Sequence, residues 1–145
     1  MSSIAIIDDD EIDRYLLKRC FAKLGLKHKV LEATSGVYAM EMFFNLCNEK
    51  SHDGENPDKK HCQPDAIFLD INMPMMDGFE FLQKLSETID INKFVANTKV
   101  VIITSSDNPK DMEKAHQFDF VSHYIKKGDL NAETLRPIFD LAKND

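Results

Sequence analysis

The residues best suited to chemistry stand at the ends of short apolar runs. Asp8, Asp9 and Asp10 follow Ile4-Ala5-Ile6-Ile7. Asp70 follows Ala66-Ile67-Phe68-Leu69. Thr104, Ser105 and Ser106 follow Val100-Val101-Ile102-Ile103, and Lys126 and Lys127 follow the stretch from Phe120 to Ile125. Carboxylates offer oxygen ligands to a hard cation. Mg²⁺ takes one or two of them and keeps its other positions for water and phosphate oxygens. Lysine adds a compact positive charge, and threonine a hydroxyl donor, to a phosphate cradle. Each residue alone has an ordinary explanation. Acids between a strand and a helix often cap the helix and oppose its dipole, and that reading suits Asp10 and Glu11. Asp70 alone could be a turn residue, Thr104 a strand-end hydroxyl bonded to backbone, and Lys126 a solvated charge. Their joint placement at four run ends is what points to a site. Asp8 and Asp9 beside Asp70 would raise one another's pKa unless a cation intervened.

The elements that must position these residues alternate along the chain. Continuous apolar runs read as strands buried on both faces. Those at 4–7, 66–69 and 100–103 are of this kind, while 28–33, with Val30 and Leu31, and 120–125 read as two further strands. Between them lie stretches of helical period. Ile12, Leu16, Cys20 and Leu24 recur every four residues, with Leu17 and Phe21 beside them, and stop at Gly25. Val37, Met40, Phe43, Phe44 and Cys47 follow Ser35, a plausible N-cap. Phe79, Leu82, Leu85, Ser86 and Ile89 make a third face, and Asn108-Pro109 starts a fourth helix. Leu135, Ile138, Phe139 and Ala142 make the last, with Pro137 expected to loosen its first turn or render it 3₁₀. Five repeats of strand and helix predict an α/β fold, a parallel sheet covered on both faces. Right-handed crossovers bring every strand's C-terminal end to one edge, where such sheets bind ligands.

Composition narrows the function classes. The chain has 145 residues, 43% apolar and 30% charged, with 18 Lys+Arg against 25 Asp+Glu and a net charge of −7. The length suits one domain. The acidity argues against nucleic acid and against an anionic membrane as partners. Cys20, Cys47 and Cys62 are odd in number and form no CxxC, as expected of reduced thiols in a cytoplasmic protein. No signal peptide is visible, and no run approaches the ~18 apolar residues of a membrane span.

The segments Ile-Ile-Asp-Asp (6–9), Leu-Asp-Ile-Asn-Met-Pro-Met-Met-Asp-Gly (69–78), Ile-Ile-Thr-Ser (102–105) and Tyr-Ile-Lys (124–126) together resemble the receiver domain of two-component response regulators. The resemblance runs in order across 1–145, read as a single receiver domain with a polar insertion at about 48–64. It implies a doubly wound, flavodoxin-like (βα)₅ fold with strand order 2-1-3-4-5. It implies that Asp70 accepts a phosphoryl group from a histidine kinase or a histidine phosphotransfer protein. Asp8, Asp9, Asp70 and the backbone carbonyl of Asn72 would hold Mg²⁺, while Thr104 and Lys126 would bind phosphoryl oxygens. Ser105 would leave room for the group, and Asn72 and Ser106 occupy positions that tune its lifetime. Thr104 would move on phosphorylation, and the surface of the fourth helix, fifth strand and fifth helix would be read by a downstream protein or by a second copy in a homodimer. After Lys126 19 residues remain, enough for one helix, so a stand-alone regulator acting by protein contact is expected, with at most slow self-dephosphorylation.

Three features depart from the family pattern. Lys126 is followed by Lys127 where proline is usual, so a trans bond is expected. His123 falls three residues before Lys126, where the family usually carries Tyr or Phe, and Tyr124 faces the other side by alternation. The third is the insertion. Similar insertions and a missing proline occur in stand-alone receivers that pair with bacteriophytochrome kinases. Cys47, His52, His61 and Cys62 could be read as a zinc site, but their spacing is irregular and adjacent His61-Cys62 is poor tetrahedral geometry. Met73, Met75 and Met76 read either as a docking patch or as packing. A rival class is a Mg²⁺-dependent phosphohydrolase of the haloacid dehalogenase type, for which Asp8 and Asp10 give the DxD spacing. That class needs further acids late in the chain, and only Asp129 follows Lys126. An inactive docking receiver is the third reading, opposed by the intact acid, threonine and lysine set.

Overall fold

The structure is a computed structural model that describes residues 2–42 and 63–139. Five parallel strands, β1 (Ser3–Ile7), β2 (Lys29–Ala33), β3 (Ala66–Asp70), β4 (Lys99–Thr104) and β5 (Val121–Lys126), lie in the order β2-β1-β3-β4-β5. The order and class match the expectation. All five residues of β1 and of β3 are buried, as central strands covered on both faces require.

Alternation sorts the core into two layers. Ala5, Ile7, Ile67, Leu69, Val100 and Ile102 face one way. They pack under α2, whose described part is 36–42, under α3 (Gly78–Thr88) and α5 (Pro109–His116), and beside the short α4 (Ile91–Val95). Ile4, Ile6, Phe68, Val101 and Ile103 face the other way. They meet Leu17 and Phe21 of α1 (Glu11–Lys23) and Leu135 of α6 (Ala132–Leu135).

The caps follow the sequence. The Ser35 hydroxyl accepts from the Tyr38 N–H at 3.1 Å, and the Asn108 side chain accepts from the Lys110 N–H with Pro109 in the first turn. Pro137 closes α6 after one turn, and Arg136–Phe139 continue as 3₁₀. The stripe on α1 is shifted from the expected one. Leu17 and Phe21 are its buried residues, while Ile12 and Leu16 are largely exposed. The apolar residues of α1 wrap too far round for one stripe, and the sheet covers only the side centred on 17 and 21. Helix α4, capped by Asp90, has no counterpart in the sequence reading. Most of the polar loop at 48–64, with Cys47, His52, His61 and Cys62, lies outside the described residues. Among the described residues no helix is long and apolar enough to cross a membrane.

The connection from β3 to α3 fixes where the strand-end acid sits. Met75 adopts φ +71, and Asp77 forms a reciprocal capping box with Glu80. Gly78 opens α3 against the chain it has just left. Its N–H donates to the Ile71 carbonyl at 3.1 Å, and a Cβ there would stand 2.6 Å from the Ile71 Cα and 2.9 Å from the Asp70 carbonyl oxygen. Both neighbours are backbone, so neither can swing aside. Gly78→Ala is therefore expected to cost about 1–3 kcal/mol by overpacking, read as a lowered urea midpoint with an unchanged slope.

Candidate functional site

The C-terminal edge of the sheet gathers the strand-end residues into one pocket. Asp8 is fully buried and Asp70 nearly so, while Asp9 is exposed. One carboxylate oxygen from each lies within 4.8 Å of the other two. Three aspartates in a row leave their roles open by sequence, and local geometry separates them. Asp10 turns away to cap α1, its Oδ1 accepting from the N–H groups of Ile12 and Asp13 at 2.8 and 3.3 Å. Asp8 turns inward, with Oδ1 accepting from the Asp10 N–H at 2.9 Å. The Arg14 guanidinium fixes the backbone beneath it. Arg14 Nη1 donates to the Asp8 carbonyl at 2.9 Å, and its Nε pairs with Glu32 at the same distance.

The lysine at these carboxylates is Lys127, not Lys126. Lys127 Nζ lies 2.6 Å from Asp13, 3.0 Å from Asp8 and 3.4 Å from Asp70. Lys126, expected there, instead pairs with the exposed Asp107 at 3.2 Å. The cause is a bulge between β4 and β5. Val100 pairs with Val121 but Val101 pairs with His123, so Ser122 is an extra residue, its hydroxyl bonded to the Val100 carbonyl. Every later residue of β5 slides by one. Thr104 stands opposite Lys126, and the first residue past the strand end is Lys127. The slide also moves the aromatic position. The residue three before Lys127 is Tyr124, which packs with the α3–α5 core, so His123 does not stand there. The spacing of Tyr124 to Lys127 was the available signal. No cis peptide occurs among the described residues.

Thr104 is fully buried at the end of β4. Its Oγ1 accepts from the Ser106 N–H at 2.9 Å and from the Asn72 side-chain amide at 3.4 Å, leaving its hydroxyl proton to donate. Asn72 also donates its backbone N–H to Asp70 Oδ1 at 3.1 Å. The Ser106 hydroxyl donates to Asp111 of α5 at 2.6 Å. Asp70, Asn72, Thr104 and Ser106 thus form one connected group, with Asp8 and Asp9 on its β1 side.

The electrostatics are under tension. Burial pushes Asp70 up to about 6, and the Asp8 charge adds to this, against the Asn72 N–H and Lys127. Burial likewise raises Asp8, against the Asp10 N–H and the Lys127 ammonium. Burial also works against the charged form of Lys127, but hydrogen bonds to Asp13 and Asp8 and the charge of Asp70 outweigh it and hold the ammonium above the ordinary lysine range. Asp8 Oδ2 is buried and lacks a well-aligned hydrogen bond, although Lys127 is close by. An unsatisfied carboxylate oxygen beside two further acids is a donor set that fits a hard dication.

Known proteins resemble this chain across most of its length. Residues 4–136 match the model of the response regulator receiver domain. The chain is 37% identical over 124 residues to the sensor histidine kinase CheAY of Helicobacter pylori, covering 86% of this chain but only 13% of that protein. It is 23% identical over 140 residues to the response regulator Rcp1 of Synechocystis, covering 97% of this chain and 83% of Rcp1. The structure of the Mn²⁺-bound form of Rcp1 superposes with a TM-score of 0.67 at 21% identity, over 95% of this chain and 89% of that one. A two component response regulator from Cytophaga hutchinsonii gives a TM-score of 0.75 at 27% identity, over 97% and 95% of the two chains.

The buried acids make a prediction about stability in chelator. Asp70 binds its proton more tightly folded, near pH 6, than unfolded, near the ordinary value of about 3.9. Its contribution is therefore complete below about pH 4 and is lost as pH rises through 6. Thermal melting of the metal-free protein is expected to fall across that window. Asp70→Asn should flatten the fall, and an unchanged profile in that variant would contradict the assignment.

Proposed function

The chain belongs to the response regulator receiver family, and on that premise we propose that Asp70 accepts a phosphoryl group from a phosphohistidine on a kinase or a phosphotransfer protein. An Asp70 carboxylate oxygen attacks phosphorus in line. The new P–O bond forms as the P–N bond to the donor imidazole breaks, and the leaving imidazole takes up a proton. Such chemistry depends on positioning and charge stabilisation more than on covalent machinery. The observation that carries this reading is a nearly buried aspartate beside a half-buried lysine and a buried threonine at one sheet edge.

Each residue has a task in this scheme. Lys127, rather than Lys126, meets a phosphoryl oxygen, since its ammonium already stands 3.4 Å from Asp70. Thr104 donates its free hydroxyl proton to another. The Asn72 N–H holds Asp70 Oδ1 in place. Asp8, Asp9 and Asp70, with the Asn72 carbonyl, are the ligands for Mg²⁺, in keeping with the Mn²⁺-bound form of Rcp1. Mg²⁺ bound there supplies positive charge that makes the acid cluster tolerable to an incoming phosphoryl group. Ile12, Tyr15 and Leu16 of α1, Val37 and Tyr38 of α2, and Met75 are exposed apolar side chains. They lie on segments that leave the same sheet edge, and they suit docking of the phosphodonor protein. The reading is of a signalling module whose phosphorylation state a cytoplasmic partner protein senses.

The test is incubation with Mg²⁺ and acetyl phosphate, followed by mapping of the adduct. Label is expected on Asp70, absent in Asp70→Asn. Lys127→Ala should slow labelling about 100-fold, the scale of a lost transition-state donor, while Lys126→Ala stays close to the parent. An adduct on Asp8 with rapid turnover of small phosphate esters would point instead to a phosphohydrolase. No Mg²⁺-dependent adduct would point to an inactive docking receiver.

A further inference from the structure

The shortest contact of Lys127 is to neither buried acid. It is to Asp13, in the first turn of α1, at 2.6 Å, against 3.0 Å to Asp8 and 3.4 Å to Asp70. We propose that Asp13 is a positioning residue that holds the Lys127 ammonium back on the α1 side of the pocket and so sets how readily that lysine engages a phosphoryl group on Asp70. The proposal rests on the phosphoacceptor reading above.

The ammonium's aligned hydrogen bond goes to Asp13, while Asp8 and Asp70 stand at ion-pair distance. An ammonium that turns towards a phosphoryl oxygen on Asp70 therefore gives up the Asp13 bond first. Asp8 is poorly placed to yield. It is fully buried, its Oδ1 is held by the Asp10 N–H, and its own carbonyl is held by Arg14. Asp70 is the residue modified. Asp13 differs from both. Its side chain is 26% exposed against 0% for Asp8 and 4% for Asp70, so water can take over its oxygens when the lysine leaves. The pair also lines a cleft of about 240 Å³ between α1 and the segment around Leu130–Ala132, with Arg19 and Lys23 on its wall. Asp13 stands outside the group of acids whose oxygens converge, Asp8, Asp9 and Asp70. A cation there would leave Asp13 free to keep competing for Lys127.

The competition has a direction. Each contact that Asp13 offers the unmodified state must be offset by the phosphoryl contact, so Asp13 opposes capture of the group and favours its loss. A partly exposed charge-assisted bond of this kind corresponds to a factor of about 3–10 in an equilibrium constant.

The experiment uses the full chain with Mg²⁺ and beryllofluoride, an aspartyl-phosphate mimic, followed by titration, and then acetyl phosphate labelling with decay measured after quenching. Asp13→Asn is expected to bind beryllofluoride about 3–10-fold more tightly and to lose its phosphoryl group correspondingly more slowly, with Asp13→Glu returning towards the parent. Glu11→Gln removes a charge from the same helical turn and is expected to change neither value. A shift in Glu11→Gln equal to that in Asp13→Asn would reduce the effect to bulk charge and overturn the proposal. So would an affinity in Asp13→Asn that is unchanged or weaker while its melting temperature shows it folded. If the parent protein forms no Mg²⁺-dependent adduct at Asp70, the phosphoacceptor reading fails and this inference fails with it. An adduct in the parent with no response in Asp13→Asn sinks the inference alone.

Discussion

One ammonium among carboxylates is the interaction on which the rest of the structure depends. Asp8 and Asp70 are held out of water at adjacent strand ends, and buried charges of like sign are costly unless paired. Lys127 is the pairing cation, and its arrival has structural requirements. The parallel sheet must bring β1 and β3 side by side so that the acids meet. The strand β5, two positions away from β3, must end at a length that lets the next residue reach back across β4. The helix α1 must begin at once after β1, so that Asp10 caps it and Asp13 comes round beneath the lysine.

The bulge at Ser122 shows how sensitive that arrangement is. A one-residue slip in a strand exchanges the faces of every side chain beyond it. Here the slip brings Tyr124 onto the α3–α5 face opposite Ile102 and sets Ile125 opposite Ile103 on the α1 face. The fifth strand is therefore sorted correctly into the two cores only with its extra residue in place. The same slip sends Lys126 to the rim, where Asp107 meets it, and delivers Lys127 to the centre. Core sorting and site assembly are one event.

How far the sequence could be read follows from this. The five strands, their order through the family resemblance, and the acids at the ends of β1 and β3 were all legible. Each is signalled by a local pattern: a continuous apolar run, a following acid, a helical period. The assignment of Asp10 to capping was legible for the same reason. Lys127 was not, because Lys126 and Lys127 are the same residue type and only a register separates them. A bulge leaves no signature in composition or period, although the aromatic spacing from Tyr124 hinted at it. Asp13 was hidden differently. An acid in the first turn of a helix has a sufficient local explanation in the helix dipole, so nothing in the chain distinguishes one that also grips a lysine 114 positions away. The mistaken stripe on α1 has a related origin. Ile12 and Leu16 stay exposed, and periodicity cannot tell an apolar residue facing the core from one facing away from it.

The hydrogen bonds of Thr104 extend the same electrostatic logic away from the acids. Its oxygen holds the Ser106 N–H, and Ser106 in turn holds Asp111 on α5, beside the partly buried Tyr124. A phosphoryl group on Asp70 offers Thr104 an acceptor for the one proton that its present partners do not use. A hydroxyl can satisfy both demands only if it moves without losing the Ser106 N–H, or if the loop after β4 moves with it. The second course displaces Ser106 and the hydrogen bond that ties α5 to the site. A ligand shifts an equilibrium only by what it contacts differently in the two states, and on the proposed reading the chain provides two such contacts. Thr104 gains one where it held none, and Lys127 exchanges Asp13 for the phosphoryl oxygen. The first contact faces α5 and β5, the second faces α1. The two sides of the sheet therefore respond to one event through separate side chains, and changing Asp13 should alter how strongly the site holds its phosphoryl group while leaving the route from Thr104 to α5 intact.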